Sequence, residues 1–183
     1  MTTTHPRLSA QCRINTPLGP LTAAATPQGL AGLWFDAQAH HPGALDVPIQ
    51  PQHPALAAAA QWLARYFAGQ AQVPSVSEDT ADTLPAVPLD LHGTPFQQAV
   101  WRALLALPQG STSTYSQIAT AAGAPAAVRA AGAAIGRNPV SILVPCHRVL
   151  GRDGSLTGYA GGLQRKQALL LLEGVLRAAP ARP

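Results

Sequence analysis

The stretch Thr114-Tyr115-Ser116-Gln117-Ile118-Ala119-Thr120-Ala121-Ala122-Gly123-Ala124-Pro125 decides the reading of the C-terminal half. Thr114 and Gln117 have the spacing of a capping box, in which a hydroxyl and an amide each satisfy a backbone N–H left unpaired at a helix start. The helix so begun ends near Gly123. The Gly123-Ala124-Pro125 turn then predicts a second helix over about residues 125–135, stopped by Gly136. Two short helices across a small Gly-containing turn form the sequence pattern of a helix-turn-helix. The second helix carries Ala126, Ala127, Ala130, Ala131, Gly132, Ala133 and Ala134, so its backbone can approach another surface closely.

Working outward, Thr94 and Gln97 repeat the capping box with Pro95 in the first turn. That helix turns Phe96, Val100, Leu104 and Leu107 towards a core and stops at Pro108-Gln109-Gly110. Further upstream the pattern changes. Residues 7–36 read as short strands, with turns at Pro17-Leu18-Gly19-Pro20 and Pro27-Gln28-Gly29. Residues 37–52 read as loop, and a helix follows from Pro54 to Phe67, with Leu56, Ala60, Leu63 and Phe67 on one face. Pro74, Pro85 and Pro88, interspersed with Glu78, Asp79 and Asp82, mark residues 70–88 as a linker. The expected architecture is therefore a small α/β domain over 1–88, a short antiparallel sheet plus helix, followed by a mainly α domain over 89–183 with the helix-turn-helix. The first half carries no recognisable chemistry in its residues.

With 47% apolar and 11% charged residues, the chain has the composition of a globular protein. Its net charge of +4 is unevenly spread: residues 1–90 carry −3 and residues 91–183 carry +7. An anionic partner is expected at the second half. Two cysteines do not make a disulfide framework, the first residues lack an apolar signal core, and no apolar stretch is long enough to span a bilayer. A cytoplasmic protein with no membrane partner is expected. His5, Cys12, His40, His41, His53 and His92 lack ligand spacing, and no glycine-rich phosphate loop is present, so neither metal nor cofactor is expected.

After Asn138-Pro139 the apolar run Val140-Ser141-Ile142-Leu143-Val144 leads to Pro145-Cys146-His147-Arg148-Val149. A cysteine reacts as its thiolate, and neighbours such as His147 and Arg148 are of the kind that lower a thiol pKa or accept its proton.

This segment, with Thr94-Pro95-Phe96-Gln97 through Trp101, Tyr115, Arg129, Asn138-Pro139, Gly158-Tyr159-Ala160-Gly161-Gly162 and Glu173, resembles the O6-alkylguanine-DNA alkyltransferases. The resemblance covers Leu89 to Gly174 with matching spacing; the first half is similar only in size and order of elements. It implies a suicide enzyme of direct-reversal DNA repair. Cys146 would take the alkyl group from O6 of a guanine flipped out of the duplex, once per molecule. O4-alkylthymine is a further candidate lesion.

By the same resemblance His147 accepts the thiol proton through a water and Glu173 orients His147. Asn138 braces the turn that holds the active-site segment. Tyr115 donates to guanine N3, and Arg129 fills the gap in the stack. Ser116 and Arg152 join Arg129 and Tyr115 in contacting DNA, while Val149, Tyr159, Ala160 and Ile135 form the alkylguanine pocket. The partner is double-stranded DNA containing O6-alkylguanine, bound by a monomer. Ala160 stands where many relatives have Ser. Ser141 and Thr157 stand where relatives that accept benzyl groups tend to have Pro and Gly. The alternative is an alkyltransferase-like protein that binds the lesion without transfer, but such proteins usually lack the cysteine.

Overall fold

The computed structural model describes residues 7–70 and 87–177; the linker expected over 70–88 falls almost wholly outside the described residues, as does the extreme N-terminus. Strands β1 (Ala10–Ile14), β2 (Leu21–Ala25) and β3 (Leu30–Phe35) form an antiparallel sheet in that order, with Ile14 opposite Leu21 and Leu21 opposite Phe35. Thr16 shapes the first turn, its hydroxyl donating to the Gly19 carbonyl at 2.6 Å. Helix α1 (Pro54–Phe67) packs on this sheet, which completes the expected sheet-plus-helix unit. Its buried face differs from the expected one. Ala59, Trp62 and Tyr66 are inside with Leu56 and Leu63, whereas Ala60 and Phe67 are only partly buried. Two large aromatic rings at 62 and 66 outweigh an alanine at 60, and the helix rotates to bury them.

Each edge of the sheet is met by another segment of the chain. On the β1 side, Gln11 exchanges backbone hydrogen bonds with Pro48 and Gln50. On the β3 side the second half of the chain adds on. Leu30 pairs with Pro88 and Asp90, and Leu33 pairs with Pro139 and Ser141, giving short parallel bridges. The apolar run that precedes Cys146 is thus stitched to the N-terminal sheet by main-chain bonds.

The second half holds α2 (Pro95–Leu105), α3 (Tyr115–Ala121), α4 (Val128–Gly136) and α5 (Leu163–Leu172), with a two-stranded parallel ribbon of β4 (Ser113–Thr114) and β5 (Val149–Leu150). Both capping boxes form: Thr94 and Gln97 cap α2, and Thr114 and Gln117 cap α3. Helices α3 and α4 make the helix-turn-helix. The second helix begins later than expected, at Val128, because Pro125 and Ala126 are taken up in a turn closed by a 2.8 Å bond from Ala127 N to Ala124 O. Arg129 therefore sits in the first turn of α4 and is exposed. The Trp101 indole N–H donates to the Ala134 carbonyl at 2.9 Å and joins α2 to α4. Among the described residues no helix is long and apolar enough to cross a membrane.

Leu33 is fully buried at the junction of the two halves. Leu33→Ala should lower unfolding stability by about 2–5 kcal/mol in urea titration, the cost of truncating a core leucine. A loss below about 1 kcal/mol would show that the junction is loosely packed.

Candidate active site

Cys146 opens a single turn of 3₁₀ helix, Cys146–Arg148, which places the three consecutive side chains in different directions. All three are buried, His147 and Arg148 completely. The turn is prepared by the preceding loop, where Ile142 adopts a φ of 72°. A β-branched residue is strained in that region, so its surroundings must hold it there. Asn138 does so from inside the loop. Its side-chain N–H donates to the Val144 carbonyl at 2.8 Å and to Cys146 Sγ at 3.1 Å, and its Oδ1 accepts from Val140 N at 3.0 Å. Asn138 thus ties Val140, Val144 and Cys146 together.

His147 Nε2 lies 2.9 Å from Glu173 Oε1. Burial pushes the Glu173 carboxyl up, but hydrogen bonds and charge from His147 and Arg148 outweigh it and hold the group at about 2. With Glu173 ionised, Nε2 must carry the proton and donate, which leaves Nδ1 as a bare acceptor. Nδ1 is buried and has no hydrogen-bond partner among the described residues. Burial also holds His147 below the ordinary histidine value, more than Glu173 raises it. The imidazole is a neutral base.

Arg148 does not do what its adjacency to Cys146 suggested. Its guanidinium grips Glu173, with Nε to Oε2 and Nη2 to Oε1 both at 2.8 Å, and donates to the Leu107 carbonyl at 2.6 Å. It serves the carboxylate and not the thiol. Burial raises the Cys146 thiol above the ordinary cysteine value, against the Asn138 hydrogen bond and the charge of Lys166. At rest the group is a thiol, so reaction calls for a base.

Cys146 lines a cavity of about 200 Å³ together with Ala39, His40, Tyr115, Gly132, Ile135, Gly136, Gly158, Tyr159 and Ala160. Of the expected pocket residues, Ile135, Tyr159 and Ala160 are there. Val149 is not: it pairs with Ser113 in the β4–β5 ribbon and belongs to the hydrophobic core. Tyr115 lines the cavity, and in this structure its hydroxyl donates to the Thr157 carbonyl at 3.1 Å. Ser116, Arg129 and Arg152 lie exposed, outside the cavity. The basic surface of this half is also smaller than the charge count suggested. Arg148 and Lys166 are wholly buried, and Arg165 is held by the Leu18 and Gly161 carbonyls over the Phe35 ring.

Several residues at the site were not legible beforehand. Lys166 is buried and bonds the carbonyls of Val149, Thr157 and Gly158, tying the Cys146 segment to the 157–162 loop. Desolvation lowers it to about 8. The first half, which seemed devoid of chemistry, supplies Ala39 and His40 to the cavity and the Tyr66 hydroxyl to Glu173 Oε1 at 2.8 Å. The loop bearing Ala39 is anchored twice. Ala39 N donates to the Ala160 carbonyl at 3.0 Å, and Gln38 Oε1 accepts from Ser141 Oγ at 3.1 Å. Tyr66 stands one residue before the end of α1 and reaches a carboxylate 107 positions away, a contact for which the local sequence carries no signal. Among the described residues, no group of three or more His, Cys, Asp or Glu side chains could hold a metal ion.

Comparison with known proteins finds matches to both halves of the chain. A family model described as the DNA binding domain of 6-O-methylguanine DNA methyltransferase matches residues 95–175, and one described as its ribonuclease-like domain matches residues 13–75. The methylated-DNA–protein-cysteine methyltransferase of Mycobacterium tuberculosis is 46% identical over 160 residues, covering 87% of this chain and 89% of that protein. The protein of the same name from Mycobacterium leprae is 45% identical over 163 residues, 88% and 91% of the two chains. The crystal structure of the M. tuberculosis O6-methylguanine methyltransferase superposes with a TM-score of 0.75 at 42% identity, over 94% of this chain and 96% of that one.

Glu173 has a depressed folded-state value, so it contributes stability that is present above the ordinary carboxylate value of about 4.3 and lost as pH falls through about 2. Glu173→Gln should cost about 3–5 kcal/mol at neutral pH by leaving Arg148 uncompensated, and should flatten the stability profile between those two values. Denaturant titrations over the acid range check both, and an unchanged acid slope would contradict the pairing.

Proposed function

This chain belongs to the 6-O-methylguanine DNA methyltransferase family and repairs methylated DNA by direct reversal, moving an alkyl group onto a cysteine of its own, and we propose that the acceptor is Cys146. DNA is its macromolecular partner. The observation that carries the assignment to Cys146 is its place in the cavity beside α4, followed in the same 3₁₀ turn by a histidine whose buried Nδ1 has no partner among the described residues.

The substrate in this reading is O6-alkylguanine in double-stranded DNA, with the damaged nucleotide turned out of the stack into the cavity. Cys146 Sγ attacks the alkyl carbon in line as the bond from that carbon to O6 breaks. The S–C bond forms, and the electron pair leaves on guanine. The thiol proton passes through a water to His147 Nδ1, and Glu173 stabilises the resulting imidazolium. Tyr115 leaves the Thr157 carbonyl to donate to guanine N3 and stabilise the departing anion. Because a thioether has no leaving path back, each molecule turns over once.

Asn138 holds Sγ on the attack line, and Ile135, Tyr159 and Ala160 form the pocket wall. Arg129, exposed in the first turn of α4, fills the space the nucleotide vacates; Ser116 and Arg152 contact the phosphates. A division into units of 1–88 and 89–183 is supported by family matches that flank residue 88 on either side. One chain supplies every group the reaction needs, so a monomer without cofactor suffices. The free thiols of Cys12 and Cys146 suit a reducing, cytoplasmic setting.

Cys146→Ala should abolish transfer of labelled methyl from an O6-methylguanine duplex to the protein while leaving affinity for that duplex within about three-fold, since a small neutral side chain is replaced. Residual labelling at the wild-type rate would remove Cys146 from the acceptor role.

A further inference from the structure

Tyr66 stands on α1 in the first half of the chain, yet its hydroxyl ends on the carboxylate that organises the site. We propose that Tyr66 is a positioning residue for alkyl transfer: by sharing Glu173 Oε1 with His147 it moderates the pull of the carboxylate on the imidazole, keeping His147 neutral with Nδ1 free to take the Cys146 proton. The proposal rests on the roles of Cys146 and His147 given above.

The geometry is crowded in an informative way. Glu173 Oε1 receives Tyr66 Oη at 2.8 Å, Arg148 Nη2 at 2.8 Å and His147 Nε2 at 2.9 Å, while Oε2 takes only Arg148 Nε among these groups, at 2.8 Å. A carboxylate oxygen offers about two lone-pair sites, so three donors on one oxygen compete. Each donor stabilises the anion and diminishes what it offers the others. Arg148 is fixed independently by the Leu107 carbonyl, so the competition falls between Tyr66 and His147.

Other charged or titratable groups face this pair from every side. Arg148 comes from the 3₁₀ turn, Lys166 from α5, and Tyr159 from the 157–162 loop, its ring edge-on to His147 at 6.5 Å. Arg148 and Lys166 oppose an imidazolium, and Glu173 favours it. Removing the Tyr66 hydroxyl leaves all of these in place and frees Oε1 for His147. The imidazolium is then better stabilised, and His147 takes up its proton at a higher pH.

Tyr66→Phe isolates that hydroxyl, because the ring keeps its stack on Trp62 at 5.0 Å and its edge contact with Phe67 at 5.3 Å. A buried tyrosine hydroxyl often contacts a polar group merely to be satisfied. A pH profile separates the two roles. The full chain and the variant are compared in single-turnover methyl transfer from an O6-methylguanine duplex across the accessible pH range, with His147 followed by imidazole nitrogen NMR.

The expected result is an upward shift of His147 protonation by roughly half to one pH unit, the effect of one charge-assisted hydrogen bond. Transfer then falls about three- to ten-fold at the acid end and less than about two-fold at the alkaline end. An equal fall at all pH values, or no shift at His147, would overturn the proposal and leave Tyr66 a packing residue. Site-specific 3-fluorotyrosine at position 66, a stronger donor, should move the titration the other way, and serves if Tyr66→Phe unfolds. If the wild-type chain gains no methyl at Cys146, the parent reading fails instead.

Discussion

A buried carboxylate is tolerated only when it is fully partnered, and the partnering of Glu173 shapes the whole site. It sits at the end of α5, nine-tenths buried, and gathers Arg148 and His147 from the 3₁₀ turn and Tyr66 from α1. Through Arg148 it also reaches the Leu107 carbonyl just past α2. Breaking any one contact leaves a charge or a donor stranded in the core, so four segments distant in sequence are locked into one arrangement. The histidine tautomer follows from this without further help: a proton on Nε2, a lone pair on Nδ1.

The thiol is held under a different regime. Burial raises the pKa of Cys146 against the Asn138 hydrogen bond and the charge of Lys166, and Arg148, next but one in sequence, is spent on Glu173. What the fold provides is position. Asn138, the strained turn at Ile142 and the Lys166 clamp fix Sγ beside a cavity into which α4 and the 157–162 loop both look. A protonated, enclosed thiol resists adventitious alkylation and oxidation, which matters for a protein that can react only once. The N-terminal unit takes part in this positioning. It braces the active-site run along β3, walls the cavity with the loop of Ala39 and His40, and touches Glu173 through Tyr66.

The capping boxes, turn glycines and apolar periodicity made the helices of the second half legible, and the Cys146 segment with Glu173 and Asn138 made the site legible by resemblance. Local chemistry writes such features in order along the chain. The remainder was set by tertiary packing. Which face of α1 is buried depended on the volumes of Trp62 and Tyr66, and the start of α4 on one turn hydrogen bond at Ala127. The allegiance of Arg148 to Glu173, the burial of Lys166 and the reach of Tyr66 each join residues far apart in sequence, which no single-chain pattern encodes. Val149 went astray for the same reason: strand pairing placed it in the core and not on the cavity wall.

The most direct measurement is intact-protein mass spectrometry of the chain mixed with a duplex bearing one O6-methylguanine. A gain of one methyl group, mapped to the peptide containing Cys146 and saturating at one equivalent per molecule, is the predicted result. Tight binding to that duplex with an unchanged protein mass would contradict transfer to Cys146 and leave a protein that recognises the lesion without removing it.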